Sequence, residues 1–199
     1  MSDLAPQTVV LVGRSGCGKG TQSAELLKHL GERSPEVPVI YIQTGKLLRE
    51  LIATGRGETV DRARRLMETG GRFPDFLAVW NWSQPLVTNF TGREHIVIDG
   101  APRSLLEAQM LGTAFAFYGR QPATIFHLAV SHDWAAERLR GRGRADDLSA
   151  ADIEARLTWF ESEVQPAIDF FRSRPEYRFV EVNGEQPIEA VHQEIVAKL

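Results

Sequence analysis

Four glycines and a lysine directly follow the first apolar run of the chain, a combination that suits phosphate binding. Glycine has no Cβ, so Gly13, Gly16, Gly18 and Gly20 let the backbone curl with its N–H groups pointing inward toward an anion. Lys19 adds a full positive charge where the terminal phosphates of a nucleotide would lie. A glycine-rich surface turn that binds nothing is the simpler alternative. The order strand, glycines, lysine and helix favours a phosphate-binding loop instead.

A second group suited to phosphate chemistry consists of four arginines within seven residues: Arg138, Arg140, Arg142 and Arg144. The guanidinium group is always charged, and its planar fork can hold two phosphate oxygens at once. Glycines flank this segment, so it could fold over bound phosphates and exclude water. The alternative is a solvated basic turn paired with the two aspartates that follow. The glycine loop in the same chain favours the phosphate role.

Five apolar runs alternate with helical patterns and must position these groups. The predicted strands cover residues 9–12, 37–43, 95–99, 124–130 and 177–182. Strands that alternate with helices form a parallel sheet covered on both faces, and ligands bind beyond the carboxyl ends of such strands. We therefore expect the glycine loop, Thr44, residues 99–103 and residues 138–144 to surround one crevice.

Several helix features are predicted from local residue types. Side-chain oxygens that can accept hydrogen bonds from free N–H groups are expected to cap three helices: Thr44, Asp75 and Ser104. The apolar residues of the helix that starts at Asp75 are expected to face the core: Phe76, Val79, Trp80 and Leu86. A long helix over about 150–172 is expected to bend at Pro166, which has no N–H.

Composition limits the class of protein. With 199 residues, 43% of them hydrophobic, the chain can form one ordinary core, so a single domain over residues 1–199 is expected. A formal charge of −3 provides no basic field for nucleic acid or an anionic membrane, so neither is an expected partner. No apolar run approaches the roughly 20 residues that span a bilayer, and the start of the chain lacks the basic region of a signal sequence. With Cys17 as the single cysteine, these features predict a cytoplasmic protein.

Five motifs in one order resemble those of the adenylate kinase family of nucleoside monophosphate kinases. They are Gly-x-x-Gly-x-Gly-Lys-Gly-Thr-Gln at 13–22, Thr44-Gly45 through Arg49, Asp99-Gly-Ala-Pro-Arg103, the arginine segment 138–147, and Arg156-Leu157. Together they extend over nearly the whole chain. The resemblance implies an α/β P-loop three-layer sandwich with a five-stranded parallel sheet and helices on both faces. It also implies a small helical acceptor-binding insertion at about 44–74 and a short arginine-rich lid at about 141–147.

The resemblance also implies a role for individual residues. ATP would be bound by Gly16, Cys17, Gly18, Lys19, Gly20, Thr21, Arg138, Arg142 and Gln186. The acceptor monophosphate would be bound by Thr44, Arg49, Gly71, Arg72, Phe73, Gly100, Ala101, Pro102, Arg103, Glu107, Arg144 and Arg156. The catalytic charges would come from Lys19, Arg103, Arg142, Arg144 and Arg156.

The resemblance extends to metals and assembly. Asp99 would position Mg²⁺ through water, and Mg²⁺ would accompany ATP as the co-substrate. The lid is too short for a cysteine zinc site, and Cys17 alone could not build one, so no zinc is expected. A monomer is implied.

Three residues near the acceptor depart from the family pattern. Lys46 stands where aspartate is usual and could touch a phosphate, while Ala101 replaces a bulky aromatic residue and would enlarge the space beside Arg103. Glu107 replaces a glutamine that reads adenine with one donor and one acceptor. An ionised glutamate only accepts hydrogen bonds, so it suits the amino group of adenine or cytosine, or the paired donors of guanine. It would leave the ring acceptor of adenine unpaired. Glu107 could instead face solvent or pair with Arg72.

The expected function is ATP-dependent phosphoryl transfer to a nucleoside monophosphate, with AMP as the first expectation on family grounds. CMP, UMP or GMP as the acceptor remains open because of Glu107. A small-molecule kinase of the shikimate or gluconate type is a rival that the motifs at 44–49 and 99–103 argue against. A catalytically weak nucleotide-binding regulatory protein is another rival. Lys46 and Glu107 favour it, whereas Lys19 and the arginines count against it.

Overall fold

The computed structural model describes residues 5–68, 71–142 and 150–199, without the side chains of Arg142 and Asp152. The strands within these residues are Thr8–Val12 (β1), Val39–Gln43 (β2), His95–Asp99 (β3), Ala123–Ala129 (β4) and Tyr177–Asn183 (β5). They form one parallel sheet in the order β2-β3-β1-β4-β5. The predicted five-stranded parallel sheet is confirmed.

Helices connect the strands and cover the sheet. The first four are Lys19–Arg33 (α1), Thr44–Thr54 (α2), Glu58–Glu68 (α3) and Asp75–Asn89 (α4). The next five are Leu105–Phe117 (α5), His132–Arg142 (α6), Ala150–Trp159 (α7), Gln165–Arg172 (α8) and Ile188–Val196 (α9).

The core lies in two layers, one on each face of the sheet. Along β1, Val10 and Val12 join a cluster that includes residues of α4, α5 and α8, whereas Val9 and Leu11 join a cluster with α1 and α9. Successive strand residues point to opposite faces, so a strand buried on both faces reads as a continuous apolar run. The predicted three-layer sandwich is confirmed.

The helix expected over 150–172 is interrupted where a bend was predicted. α7 ends at Trp159, residues Phe160–Val164 form a π-helical turn, and α8 starts at Gln165 with Pro166 in its first turn. Proline has no N–H for the preceding turn and its ring crowds that turn, so the hydrogen-bond ladder widens just before it.

The prediction for the buried face of α4 was wrong at two positions. Phe76 is 70% exposed and Trp80 is 49% exposed, while Trp82 and Leu86 are buried in the core and Val79 is partly buried against it. Because α4 is apolar on nearly every side, its local sequence does not determine which stripe meets the sheet.

Of the three predicted helix caps, one is confirmed. Ser104 Oγ accepts a hydrogen bond from the first turn of α5. Thr44 and Asp75 begin α2 and α4 without capping them, so those two predictions were wrong. Both side chains instead bond to the segment that follows β3: Thr44 Oγ1 donates to the carbonyl of Gly100, and Asp75 accepts from Ser104.

Among the helices of the described ranges, none is both long enough and apolar enough to cross a membrane.

Candidate active site

The carboxyl ends of three strands meet beside the glycine loop. Asp99 closes β3 and pairs in register with Leu11 of β1 on one side and with Gln43 of β2 on the other. The loop after β1, the start of α2 and the segment after β3 therefore leave the sheet at the same edge, as the sequence predicts.

The glycine loop depends on residues without side chains. Gly13, Gly16 and Gly18 have φ angles of 145°, 88° and 97°. A Cβ on Gly13 would lie 2.7 Å from the carbonyl oxygen of Leu128, and one on Gly16 would lie 2.8 Å from that of Ala135. The loop thus packs tightly against β4 and α6 before α1 begins, which leaves the N-terminus of α1 facing the crevice.

Lys19 lies across the loop. Its Nζ donates to the carbonyl oxygens of Gly13 at 2.7 Å and Arg14 at 3.0 Å. The side chain of Cys17 is 2% exposed and packs in the core, so this residue offers its backbone to the crevice. Gly20 and Thr21 lie exposed in the first turn of α1.

Asp99 is an acidic group beside the first turn of α1. Its carboxylate is 6% exposed, and Oδ2 accepts hydrogen bonds from the Tyr41 hydroxyl at 3.3 Å and Gln43 Nε2 at 3.2 Å. Oδ2 would lie 3.8 Å from a Cβ placed on Gly20. Burial, together with the charge of Asp99, raises the pKa of Tyr41 to about 12, so the tyrosine remains a donor to this carboxylate.

A pocket opens at Gly100, the residue after Asp99, between α2, α4, α5 and α7. Six residues predicted for the acceptor site line it: Thr44, Arg72, Phe73, Gly100, Arg103 and Glu107. Four others were missed: Leu48, Ala78, Asn81 and Trp159. Asn81 carried only a weak signal, since the same helix has two further amide side chains, Gln84 and Asn89. Trp159 carried none, because its helix lies far away in the sequence.

Gly100 organises the floor of this pocket. Its carbonyl oxygen accepts from Thr44 Oγ1 at 2.9 Å and from Arg103 Nε at 2.8 Å. Its φ is 88°, and a Cβ would lie 2.6 Å from Thr44 Oγ1. Asn81 Nδ2 donates to the carbonyl of Thr44 at 3.1 Å and so joins α4 to the start of α2.

Glu107 lies inside the pocket rather than in solvent, with 3% of its surface exposed. Its Oε1 accepts from the backbone N–H of Arg103 at 3.2 Å. Burial raises the pKa of the Glu107 carboxyl, and the negative charge of nearby Asp75 also raises it. The positive charges of Arg103 and Arg72 lower this pKa but do not outweigh the effect of burial. The pocket therefore holds a carboxyl group that gives up its proton less readily than a glutamate in water.

Arg72 is held by acidic partners on two elements. It pairs with Asp75 at the start of α4 and, at 3.5 Å, with Glu163 of the π-helical turn. The structure therefore pairs Arg72 with Asp75 and Glu163 and not with Glu107, so the alternative of an Arg72–Glu107 pair was wrong. The Arg72 side chain is 30% exposed, so the guanidinium lies at the pocket mouth.

Several predicted acceptor residues lie beside the pocket instead of lining it. Arg49 is exposed, with its guanidinium over Gly45. Ala101 is 1% exposed within the main core, so its small side chain does not create the extra space expected beside Arg103. Lys46 is exposed and pairs with Glu50 at 3.7 Å. Pro102 is buried, and Gly71 donates its N–H to the carbonyl of Leu66.

Two residues predicted for the donor nucleotide lie outside the loop, Arg138 on α6 and Gln186 in the turn between β5 and α9. Arg138 is exposed and stacks on Trp134, with 4.6 Å between the guanidinium carbon and the ring centroid. Gln186 follows a turn whose Gly184 packs against Val130 and the carbonyl of Cys17, which brings this turn to the glycine loop.

The predicted lid is described only at its start. Arg142 is the last residue of α6, with its backbone alone described, and Arg144 lies outside the described residues, as does most of segment 141–147. Arg156 is half-buried on α7.

Arg14, in the loop itself, makes contacts that sequence reasoning missed. Its guanidinium lies 4.2 Å from the centroid of the Phe160 ring and pairs with Glu161 at 2.6 Å. Its Nη1 also donates to the carbonyl of Leu157. These bonds join the glycine loop to the end of α7, the helix that carries Arg156.

Metal-ligating side chains do not cluster in the part of the chain that the structure describes: no three His, Cys, Asp or Glu residues there could hold an ion together.

Comparison with known proteins gives one consistent result. The family model for adenylate kinase matches residues 11–176. The chain is similar to an adenylate kinase of Porphyromonas gingivalis (strain ATCC BAA-308 / W83), with 33% identity over 166 residues that cover 82% of this chain and 81% of the relative. An adenylate kinase of Mycobacterium sp. (strain MCS) is 32% identical over 165 residues, covering 83% and 86%. One of Phocaeicola vulgatus is 30% identical over 193 residues, covering 95% and 96%.

Proposed function

The chain belongs to the adenylate kinase family of nucleoside monophosphate kinases, and from this premise we propose that it transfers the terminal phosphoryl group of ATP to a nucleoside monophosphate. AMP is the first candidate acceptor, since the relatives are named adenylate kinases. The products would be two nucleoside diphosphates.

One observation carries this proposal: two sites meet at a single peptide bond. Asp99 faces Gly20 of the glycine loop, and the next residue, Gly100, lines the pocket. A donor phosphate on the loop and an acceptor phosphate on Arg103 would therefore lie side by side, as direct transfer requires.

The side chains then supply charge and position. Lys19 would move from the carbonyls of its own loop to the phosphates of ATP, and Arg103 would hold the acceptor phosphate at the pocket floor. Arg156 on α7, with Arg142 and Arg144 from the lid, would stabilise the charge that spreads over the transferring group. Because the acceptor phosphate attacks directly, no protein nucleophile is needed.

The site residues fit Mg²⁺ as a partner of ATP. Mg²⁺ prefers oxygen ligands and keeps several waters, and the Asp99 carboxylate stands beside the loop, oriented by Tyr41 and Gln43. Asp99 would orient such waters. When bound, the ion would neutralise phosphate charge.

Glu107 makes the acceptor base the open part of the proposal. A carboxylate in this pocket accepts a base amino group but offers nothing to the ring nitrogen of adenine. A second candidate function, phosphorylation of GMP or CMP, is favoured by this one observation. The aromatic rings of Phe73 and Trp159 line the same pocket and would offer faces against which any base can pack.

The proposal also covers organisation and location. Residues 1–199 would form one kinase domain, with 44–74 as the acceptor-binding insertion and 141–147 as the lid. On family grounds a monomer would suffice for turnover. A cytoplasmic location is supported by Cys17, a buried thiol of the kind that suits a reducing compartment.

Diphosphate formation tests the proposal. The protein is assayed with ATP and Mg²⁺ and with AMP, CMP, UMP or GMP in turn. Lys19→Met serves as the blank, and Lys28→Met, an exposed lysine on the same helix, serves as the matched control. A preferred acceptor, lost in Lys19→Met and kept in Lys28→Met, is expected. ATP binding without turnover for any acceptor would support the regulatory alternative.

A further inference from the structure

The outer surfaces of α4 and α5 carry a set of apolar side chains that the candidate site does not use. Six of them are between 42% and 83% exposed: Phe76, Trp80 and Val87 on α4, and Leu106, Met110 and Phe117 on α5. In each helix the second residue follows the first by four positions and the third by eleven. At 100° per residue, this spacing places each triplet on one stripe. We call the two stripes together the α4–α5 face.

The two helices contact each other at both ends, which places their stripes side by side. At the N-terminal ends, Ser104 Oγ donates to Asp75 Oδ1 at 2.9 Å. Just beyond the C-terminal ends, the rings of Phe90 and Tyr118 lie 4.8 Å apart. The far flank of α5 is occupied, because Gly112 packs against Tyr177 and Phe170. Met110 and its stripe therefore lie on the half of α5 that is nearer to α4, which makes the α4–α5 face continuous.

The face has no charge, although 25% of the residues in the chain are charged. Both helices fall entirely within the described residues, and none of their exposed residues is Asp, Glu, Lys or Arg. Asp75 and Glu107, the acidic residues of the two helices, bond inward to Ser104 and Arg103. The polar residues around the stripes are uncharged: Gln84, Thr88, Asn89, Gln109 and Thr113. Depletion of charge is what distinguishes the centre of an interface from ordinary surface.

The exposed apolar area is large enough for a specific interface. From the exposed fractions, the six side chains present on the order of 700 Å². The largest apolar patch on a typical monomer is about 300–600 Å². A standard interface buries about 800 Å² per partner, which this face reaches once its polar edge is included.

We propose that the α4–α5 face binds a second copy of this chain around a twofold axis. A twofold contact brings the same patch from both copies together, so any charge would meet its own like charge. The absence of charge from the exposed residues of α4 and α5 removes that penalty. A membrane is the weaker occupant, because helices that lie on membranes carry Lys or Arg around the apolar stripe. The proposal goes beyond phosphoryl transfer and does not depend on it.

Sedimentation equilibrium on the full chain tests the proposal. At about 50 µM, above the micromolar Kd that marks the weak end for interfaces of this size, the wild-type protein should have twice the chain mass of 22.2 kDa. Phe117→Glu, at the most exposed position, should weaken dimerisation at least about 100-fold, because a buried interface would hold two unpaired carboxylates. Ile188→Glu is the matched control. Ile188 is 47% exposed on α9, on the opposite side of the sheet, and its variant should remain dimeric.

Circular dichroism checks that both variants fold, and Met110→Glu should repeat the result of Phe117→Glu. A wild-type mass of 22.2 kDa at every concentration would overturn the proposal. So would a dimer that Phe117→Glu and Met110→Glu leave intact. Binding of the monomer to phosphatidylcholine vesicles, lost in Phe117→Glu, would assign the face to a membrane instead.

Discussion

Replacing Glu107 with glutamine should convert the acceptor pocket to one that reads adenine. The variant keeps the size of the side chain, and its Oε1 can still accept the backbone N–H of Arg103. The other terminal atom changes from an acceptor to an NH₂ group that donates. A glutamine therefore offers adenine one donor and one acceptor, whereas ionised Glu107 offers acceptors alone.

The size of the effect follows from the burial of the pocket. Glu107 is 3% exposed, so water replaces the missing donor poorly once a base is bound. A buried polar atom without its hydrogen bond costs about 1–3 kcal/mol, which corresponds to about a 5- to 150-fold difference in kcat/KM. We expect Glu107→Gln to raise kcat/KM for AMP within this range and to lower it for GMP.

The pH dependence of the acceptor preference distinguishes a change in hydrogen bonding at Glu107 from a general change in the pocket. Burial raises the pKa of Glu107, and the charged groups that face it are Arg103, Arg72 and Asp75. As the pH falls toward this raised pKa, the carboxyl gains a proton and becomes a donor. The ratio of AMP to GMP turnover should then rise in the wild-type protein and stay flat in Glu107→Gln.

Glu107→Gln should also change the free energy of unfolding, in a direction that follows from the raised pKa of Glu107. Because the folded pKa of Glu107 lies above the unfolded value near 4.5, the folded state holds the proton more tightly. The contribution of Glu107 to stability is therefore present below pH 4.5 and is lost as the pH rises through the folded pKa. Glu107→Gln should be more stable than the wild-type protein at neutral pH, with a difference that narrows toward pH 4.5.

The assay is coupled diphosphate formation with each monophosphate from pH 5.5 to pH 8, within the roughly neutral range where folded proteins are most stable. Glu189→Gln, an exposed glutamate at the start of α9, is the control for loss of one negative charge. If Glu107→Gln leaves the AMP to GMP ratio within about twofold of wild type, below the range given above, Glu107 does not read the base. The reasoning from burial would then be refuted.

Three further predictions follow from other parts of the structure. Lys19→Met should lower kcat by at least about 100-fold, as for other groups that stabilise transition-state charge, with ATP binding checked by calorimetry. Gly100→Ala should lower the melting temperature by several degrees and raise KM for the acceptor, because φ is 88° and the new Cβ meets Thr44. Burial lowers the pKa of His95, so its contribution to stability is present above 6.5 and is lost as the pH falls through the folded pKa. The urea midpoint of unfolding should fall as the pH drops below 6.5, and His95→Gln should make this fall smaller. A midpoint that does not change with pH in the wild-type protein would contradict the lowered pKa of His95.

The sequence determined the features that depend on neighbouring residues alone. A glycine that must adopt positive φ, as at Gly16 and Gly18, is recognisable because few other residues can replace it. Strand runs and their alternation with helices determine a parallel sheet, and a parallel sheet places its loops at one edge. The positions of the glycine loop, Asp99 and the pocket floor at Gly100 could therefore be predicted from the order of residues along the chain.

Tertiary packing decided what the local pattern leaves open. Glu107 and Trp159 meet in one pocket although they come from α5 and α7, because α7 continues through the π-helical turn into α8, which packs against α5 in the same core. α4 is apolar around its circumference, so the exposure of Phe76 and Trp80 was settled by which stripe met the core. The spacing of residues along a chain fixes backbone geometry. The burial of a side chain, and with it the pKa of Glu107, depends on partners distant in the sequence.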